Sequence, residues 1–364
     1  MKNQSQFLKI LVTFPLVSVL LLGCGSPSAS RDLNTWIGAN DNAEGFKQVD
    51  GTHKLTFPVD HGPHDDYLFE WWYLTALLND QSGREFGVQF TVFRRALTTD
   101  SDVSNPWRSG QVYLGHLAMS DIQEKTHQVE ERFSRGHPEL AGALAEPFRV
   151  YVEDWSLAST TVSYFPLKLV AGTRDYRVSL VVNRGKPMIL HGIDGYSQKS
   201  SDHASYYYTH SRLPTRGTLE IDGQEHTVSG TAWLDREWSS QILDDPYRGW
   251  YWFSLNFDDG RELVLFELHS DDSSVKTIPT ATWIELDGSS SSVVADTWSI
   301  KPRRYWKSYP VEWVLEIDGT HYVIEAEFDD QFMSTSISYW EGVVEVTESD
   351  KVVGHGYMEL TGYE

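Results

Sequence analysis

The segment Gly230-Thr231-Ala232-Trp233-Leu234-Asp235-Arg236-Glu237-Trp238-Ser239-Ser240 carries more polar groups than a core strand should. Read as a strand, it puts Trp233, Asp235 and Glu237 on one face, with the Cα atoms of the two acids about 7 Å apart. Neighbouring acids beside an indole raise each other's pKa, by repulsion and by loss of solvent. A carboxylic acid held protonated near neutral pH can serve as a general acid. The same residues equally fit a structural cluster in which Arg236 and Arg248 neutralise the acids.

Aromatic side chains surround this chemistry. Trp71, Tyr73 and Thr75 share one face of the strand Trp71-Trp72-Tyr73-Leu74-Thr75, and Trp250, Trp252 and Ser254 share one face of Trp250-Tyr251-Trp252-Phe253-Ser254. Two aromatics followed by a hydroxyl could form a stacking wall for a long apolar or cationic species, or ordinary barrel core. Trp233 and Trp238 are further candidates for such a wall. His116, alone in the apolar strand Tyr113-Leu114-Gly115-His116-Leu117, reads either as a core histidine or as a ligand contact. The run Tyr206-Tyr207-Tyr208, beside His203 and His210, suits a pocket mouth or a domain seam. His61, His64, Asp65, Asp66 and Glu70 crowd the entry to the first aromatic strand, but their spacing matches no closed metal site, so no metal is expected. The chain carries no Gly-x-Ser-x-Gly elbow, Walker loop or dinucleotide fingerprint. No cofactor is expected.

The elements that must position these groups are strands. Asp-Gly pairs at 222–223, 259–260, 287–288 and 318–319 separate alternating runs and mark hairpins. The best helix candidate, Glu139–Glu146, is short, contains Gly142 and is closed by Pro147. The two aromatic strands lead into Gly83-Arg84-Glu85-Phe86 and Gly260-Arg261-Glu262-Leu263, which reads as an internal duplication. Two related β domains follow, 51–214 and 215–364, meeting near Leu213-Pro214-Thr215-Arg216-Gly217. Each has the strand supply of a small closed barrel able to hold one ligand.

Composition narrows the function classes. The 364 residues contain 30 Lys+Arg against 52 Asp+Glu, a formal charge of −22 that repels phosphate backbones and argues against nucleic-acid binding. The single cysteine excludes an intramolecular disulfide. Residues 1–23 have the positive start and short apolar run of a signal peptide. They end at Leu21-Leu22-Gly23-Cys24, which resembles the lipobox of bacterial lipoproteins and implies lipid attachment at Cys24. Gly25 in place of Asp points to the outer membrane, facing the periplasm, and residues 24–50 read as a flexible tether.

Several motifs together resemble the AttH family, a group of predicted secreted hydrolases related to carotenoid 1,2-hydratases. They are Glu70-Trp71-Trp72-Tyr73, Gly83-Arg84-Glu85-Phe86, Phe93-Arg94-Arg95, Gly115-His116, Trp233–Ser239 and Gly260-Arg261-Glu262-Leu263. The resemblance covers about residues 51–364 and implies an all-β chain of two lipocalin-like antiparallel barrels. In the hydratases a His precedes the final Trp of the Trp-x-Asp segment by two residues; Arg236 stands there in this chain. Their key Asp lies on a following strand, where Glu267 is the only acid of Leu263–Leu268. The expectation is thus an envelope lipoprotein binding a hydrophobic, isoprenoid or lipid-like molecule in an aromatic-lined cavity. Asp235, Glu237 and Glu267 are its candidate acids for hydration or hydrolysis, and Trp71, Tyr73, His116, Trp233, Trp238, Trp250 and Trp252 are its candidate ligand contacts. A non-catalytic lipid carrier, or an accessory lipoprotein of an export system, is the alternative.

Overall fold

The computed structural model describes residues 31–32, 43–99, 105–241, 243 and 246–363. Cys24, the expected signal peptide and nearly all of the tether before residue 43 lie outside the described residues. Within them the regular structure is almost wholly antiparallel strand, with three-residue 3₁₀ turns at Val59–His61, Pro106–Arg108 and Ala295–Thr297. The helix candidate at Glu139–Glu146 is instead the edge strand Ala141–Ala145. Its alternate side chains pack on a sheet, which outweighs the helix preference of alanine.

The first sheet contains β1 (Phe69–Asp80), β2 (Glu85–Ala96), β3 (Gln111–Asp121), β4 (Thr126–Arg135), β5 (Ala141–Ala145), β6 (Phe148–Val152), β7 (Trp155–Ser159), β8 (Leu167–Gly172), β9 (Tyr176–Val182), β10 (Ala204–Ile221) and β11 (Gln224–Ser239). Their spatial order is β4-β3-β2-β1-β11-β10-β9-β8-β7-β6-β5. The second sheet contains β12 (Gly249–Phe257), β13 (Glu262–His269), β14 (Thr280–Ile284), β15 (Ser290–Ser292), β16 (Trp298–Trp306), β17 (Tyr309–Ile317), β18 (Thr320–Ala326), β19 (Ile337–Glu348) and β20 (Lys351–Leu360). Its order is β15-β14-β13-β12-β20-β19-β18-β17-β16. The run β2-β1-β11-β10 recurs as β13-β12-β20-β19, so the duplicated motif extends to the topology around it. The sheets curl into a near-barrel and a half-barrel, the lipocalin-like pair that was expected. In neither sheet do the two labelled edge strands pair, so closure is incomplete.

All four Asp-Gly pairs lie in turns between strands. Asp222-Gly223 and Asp318-Gly319 have positive φ at both residues, +52°/+79° and +52°/+76°, as a type I′ turn requires. At 259–260 and 287–288 only the glycine has positive φ, and the turns are longer. The domain boundary falls elsewhere than at 214/215. β10 runs unbroken from Ala204 to Ile221, and β11 still belongs to the first sheet. Pro214 is not a linker residue but sits just past a bulge between His210 and Leu213, where the ladder is already irregular. The chain crosses to the second sheet between Ser239 and Gly249.

Alternation decides which face of each strand is core. Trp72, Leu74, Ala76 and Leu78 fill the interior of the first sheet, and Tyr251, Phe253, Leu255 and Phe257 that of the second. The intervening residues point outward at the other domain. Tyr73, Trp250 and Trp252 join Phe93, Trp233, Phe266 and Leu268 in a separate apolar cluster along the seam. The aromatic faces expected to line barrel interiors therefore line the junction between two packed interiors.

Candidate active site at the seam between the two barrels

Trp71 and its repeat equivalent Trp250 stack across the seam, their ring centroids 6.5 Å apart and nearly parallel. Tyr73 and its equivalent Trp252 meet edge to face at 5.2 Å. The duplicated motif thus packs against its own copy. Where the two faces diverge they leave a narrow cleft open to solvent. Phe69, Trp71, Trp250, Trp252, Phe266 and Leu268 give it apolar walls; Asp235, Glu237, Glu359 and Lys199 bring charge to it.

Asp235 is buried against this cleft and gathers three donors. Thr209 Oγ1 and Trp233 Nε1 donate to Oδ1 at 2.5 and 2.7 Å, and Tyr207 Oη donates to Oδ2 at 2.6 Å. Burial favours the neutral acid more than these bonds favour the anion, and the nearby Glu237 adds repulsion. The carboxyl is pushed up to about 7. His191 Nε2 lies 2.7 Å from Thr209 Oγ1, and Trp252 Nε1 donates to Tyr207 Oη at 3.2 Å, so both inner donors are themselves held.

Glu359 is the second poised acid. Burial raises it, the bond from Trp250 Nε1 at 2.6 Å opposes that, and Glu237 and Asp235 raise it further, to about 7. Strand register shows its origin: Tyr73 faces Asp235 in the first sheet as Trp252 faces Glu359 in the second. Each repeat therefore contributes one acid from the strand beside its aromatic motif. Glu341, the ladder partner of Glu359, is a third buried acid behind them. Burial and then Glu359 hold it well above the usual carboxylate range. It accepts a hydrogen bond from Tyr73 Oη at 2.5 Å.

Glu237 lines the cleft as expected and accepts a hydrogen bond from Ser205. Lys199 Nζ lies 3.3 Å from Glu237 Oε1 but off its hydrogen-bonding directions, so this buried ammonium keeps donors to spare. Its charge rests over the faces of Phe266 and Tyr207, at 4.0 and 4.8 Å from the centroids.

The structure gathers Asp235, Glu237, Trp71, Tyr73, Trp250 and Trp252 at one cleft. Trp233 stands just behind, holding Asp235. Three expected residues are elsewhere. Glu267 pairs with Tyr251 in the ladder and so faces away from Phe266 and Leu268; Tyr251 and Thr277 bond it on the other side of β13. Trp238 faces away from Glu237 and stacks on His64, centroids 3.7 Å apart. His116 is fully buried within the seam, 2.8 Å from Tyr339 Oη and 3.1 Å from Glu131 Oε2, but it does not line the cleft. Arg236 and Arg248 do not neutralise the acids. Arg236 points away and bonds Glu70 at 2.6 Å, and Arg248 bonds Asp271 at 3.0 Å. Sequence reasoning missed Glu359, Lys199 and Tyr207 as a set. Extending the repeat to Tyr357-Met358-Glu359, beside Trp233-Leu234-Asp235, would have found the first.

Comparison with known proteins agrees with this fold. The AttH-like family profile matches residues 48–363. A candidate AttH from Nitrosomonas europaea is 31% identical, with 88% of this chain and 100% of that one covered at a TM-score of 0.76. Kievitone hydratase from Nectria haematococca, 14% identical, covers 87% of this chain and 95% of its own at 0.66. The protein CghA, 13% identical, covers 82% and 89% at 0.52. At these lower identities the likeness is one of fold. No curated protein matches the chain. Two duplicated sheets, the paired aromatic motifs and the profile spanning both place it: the chain belongs to the AttH-like family.

Proposed function

We propose that the cleft binds a hydrophobic, isoprenoid or lipid-like molecule and hydrates a carbon–carbon double bond in it. The carrying observation is the pair of buried carboxyls, Asp235 and Glu359, both pushed up to about 7 in an aromatic-walled cleft. Coupled acids of this kind share a proton near neutrality, one neutral while the other is ionised. In the proposed step the protonated Asp235 gives its proton to one alkene carbon, forming C–H as the π bond breaks. The faces of Trp71, Trp250 and Trp252 stabilise the carbocation. Water attacks it, forming C–O, and its spare proton passes to the Glu359 carboxylate; exchange with solvent restores the pair. Support comes from the fold shared with kievitone hydratase and from the family. A panel of isoprenoid alkenes incubated with wild type and with Asp235→Asn tests this. Product should form only with wild type, and equal rates would remove Asp235 from the chemistry.

The rival reading is a carrier, and one observation favours it. Asp235 already holds three donors and is only 3% exposed, as a structural acid would be. Native mass spectrometry of protein from its own envelope separates the two: an unchanged co-purifying lipid favours the carrier. In either case we propose a lipoprotein anchored through Cys24 to the outer membrane, facing the periplasm. An export-system partner belongs to the carrier reading.

A further inference from the structure

We infer a binding site for a divalent metal of the zinc class, formed by His53, Asp60 and His64 on the side of β11 opposite the cleft. His53 Nε2 lies 3.3 Å from both carboxylate oxygens of Asp60, and His64 Nε2 lies 3.2 Å from Oδ1. One ligand atom from each of the three residues falls within 4.8 Å of the others. Charge-assisted N–H···O bonds shorten to roughly 2.7–2.9 Å. Tetrahedral ligands about 2.0–2.1 Å from a metal sit about 3.3 Å from one another, which is the spacing of each histidine nitrogen from Asp60 here.

The surroundings fix which nitrogens are ligands. His64 Nδ1 lies 3.0 Å from Glu70 Oε2. Glu70 also accepts from Arg94, Arg236 and the His64 backbone N–H, so a firmly held carboxylate faces His64 Nδ1 as its acceptor. That leaves Nε2 facing a second carboxylate, Asp60. A histidine whose other nitrogen donates to a carboxylate is the usual metal-binding arrangement. Each ligand is held in place. His64 stacks on Trp238, Asp60 accepts the Thr56 N–H at 2.5 Å, and the His53 backbone N–H donates to Tyr206 Oη at 3.1 Å. Asp60 is 2% exposed, whereas the His53 side chain is 34% exposed, so a water can complete the set from the His53 side.

The metal would clamp the segment before β1 to Glu70 on β1 and, through it, to Arg236 on β11. Sequence reading saw His64 and Glu70 but not His53 or Asp60, because the pair converges only when the chain turns back at Val59–His61.

The test titrates tag-free, chelator-treated full-length protein with Zn²⁺ by calorimetry and with Co²⁺ by visible absorption. One equivalent should bind, with tetrahedral d–d bands for Co²⁺, and Zn²⁺ should raise the melting temperature. His53→Ala and Asp60→Asn should each weaken binding at least about tenfold, since even an outer-shell change costs 10–100-fold. His355→Ala, in the separate Glu327–Glu345–His355 cluster, should leave it unchanged. No binding by wild type, binding that survives His53→Ala, or binding lost in His355→Ala would each overturn the assignment.

Discussion

Replacing Asp235 by Asn keeps the shape of the site and removes its titrating proton. Turnover should fall by roughly 10²–10⁴-fold, the usual worth of a positioned acid. The wild-type rate should also decline as pH rises through about 7, where Asp235 loses its proton, and that limb should vanish in the variant. Stability carries a second signature. Folding raises Asp235 from 3.8 and Glu359 from 4.5 to about 7, so between roughly pH 4 and pH 7 the native state holds protons that the unfolded chain has released. Their contribution is most favourable at the acid end and is lost as pH rises through about 7. Buried His61, His191 and His210, pushed down to about 3 mainly by burial, slope the other way below pH 6.5. The informative quantity is therefore the melting-temperature difference between Asp235→Asn and wild type, which should shift in favour of the variant from pH 5 to pH 8. A pH-independent difference would show Asp235 ionised throughout.

β2 packs tightly against the second sheet at Gly87. A Cβ there would lie 2.3 Å from Val343 Cγ2 and 2.5 Å from Tyr357 Oη, so the absence of a side chain sets the separation of the sheets. Gly87→Ala should cost about 1–3 kcal/mol by overpacking, read as a lowered urea midpoint, and should press on Val343 and Tyr357 of the seam cluster that also holds Tyr73 and Trp252. Much at this scale was legible in the chain itself. Aromatic alternation identified β1 and β12 and the faces they present, because a period of two is local information. The destination of those faces was not legible, since either face of a strand can be core and only the second sheet decides. Glu267 failed for a related reason. Its strand was recognised, but placing it depended on the hairpin register that pairs it with Tyr251 rather than Trp252. Glu359 was passed over because Tyr357-Met358 lacks the tryptophan that makes Trp233-Leu234-Asp235 conspicuous. Pro214 and Gly217 read as a break because turn residues usually are one, yet a bulge accommodates the proline inside β10.

Net charge of −22 opposes attraction to an anionic lipid surface, so residence at a membrane would depend on the proposed acylation of Cys24 rather than on the folded surface. Cys24→Ser should move the protein from the membrane fraction to the soluble envelope fraction; retention at the membrane would point to another attachment. The passage from one sheet to the other between Ser239 and Gly249 has its own consequence. A polypeptide severed there, unlike one severed at residue 214, yields two fragments with every ladder intact except the two-residue pairing of Arg31–Asp32 with Ile337–Ser338. Each would display half of a tryptophan-rich surface to water. Co-produced, the fragments should reassociate like the subunits of a heterodimer, making this fold a natural starting point for a split reporter of whatever molecule settles between them.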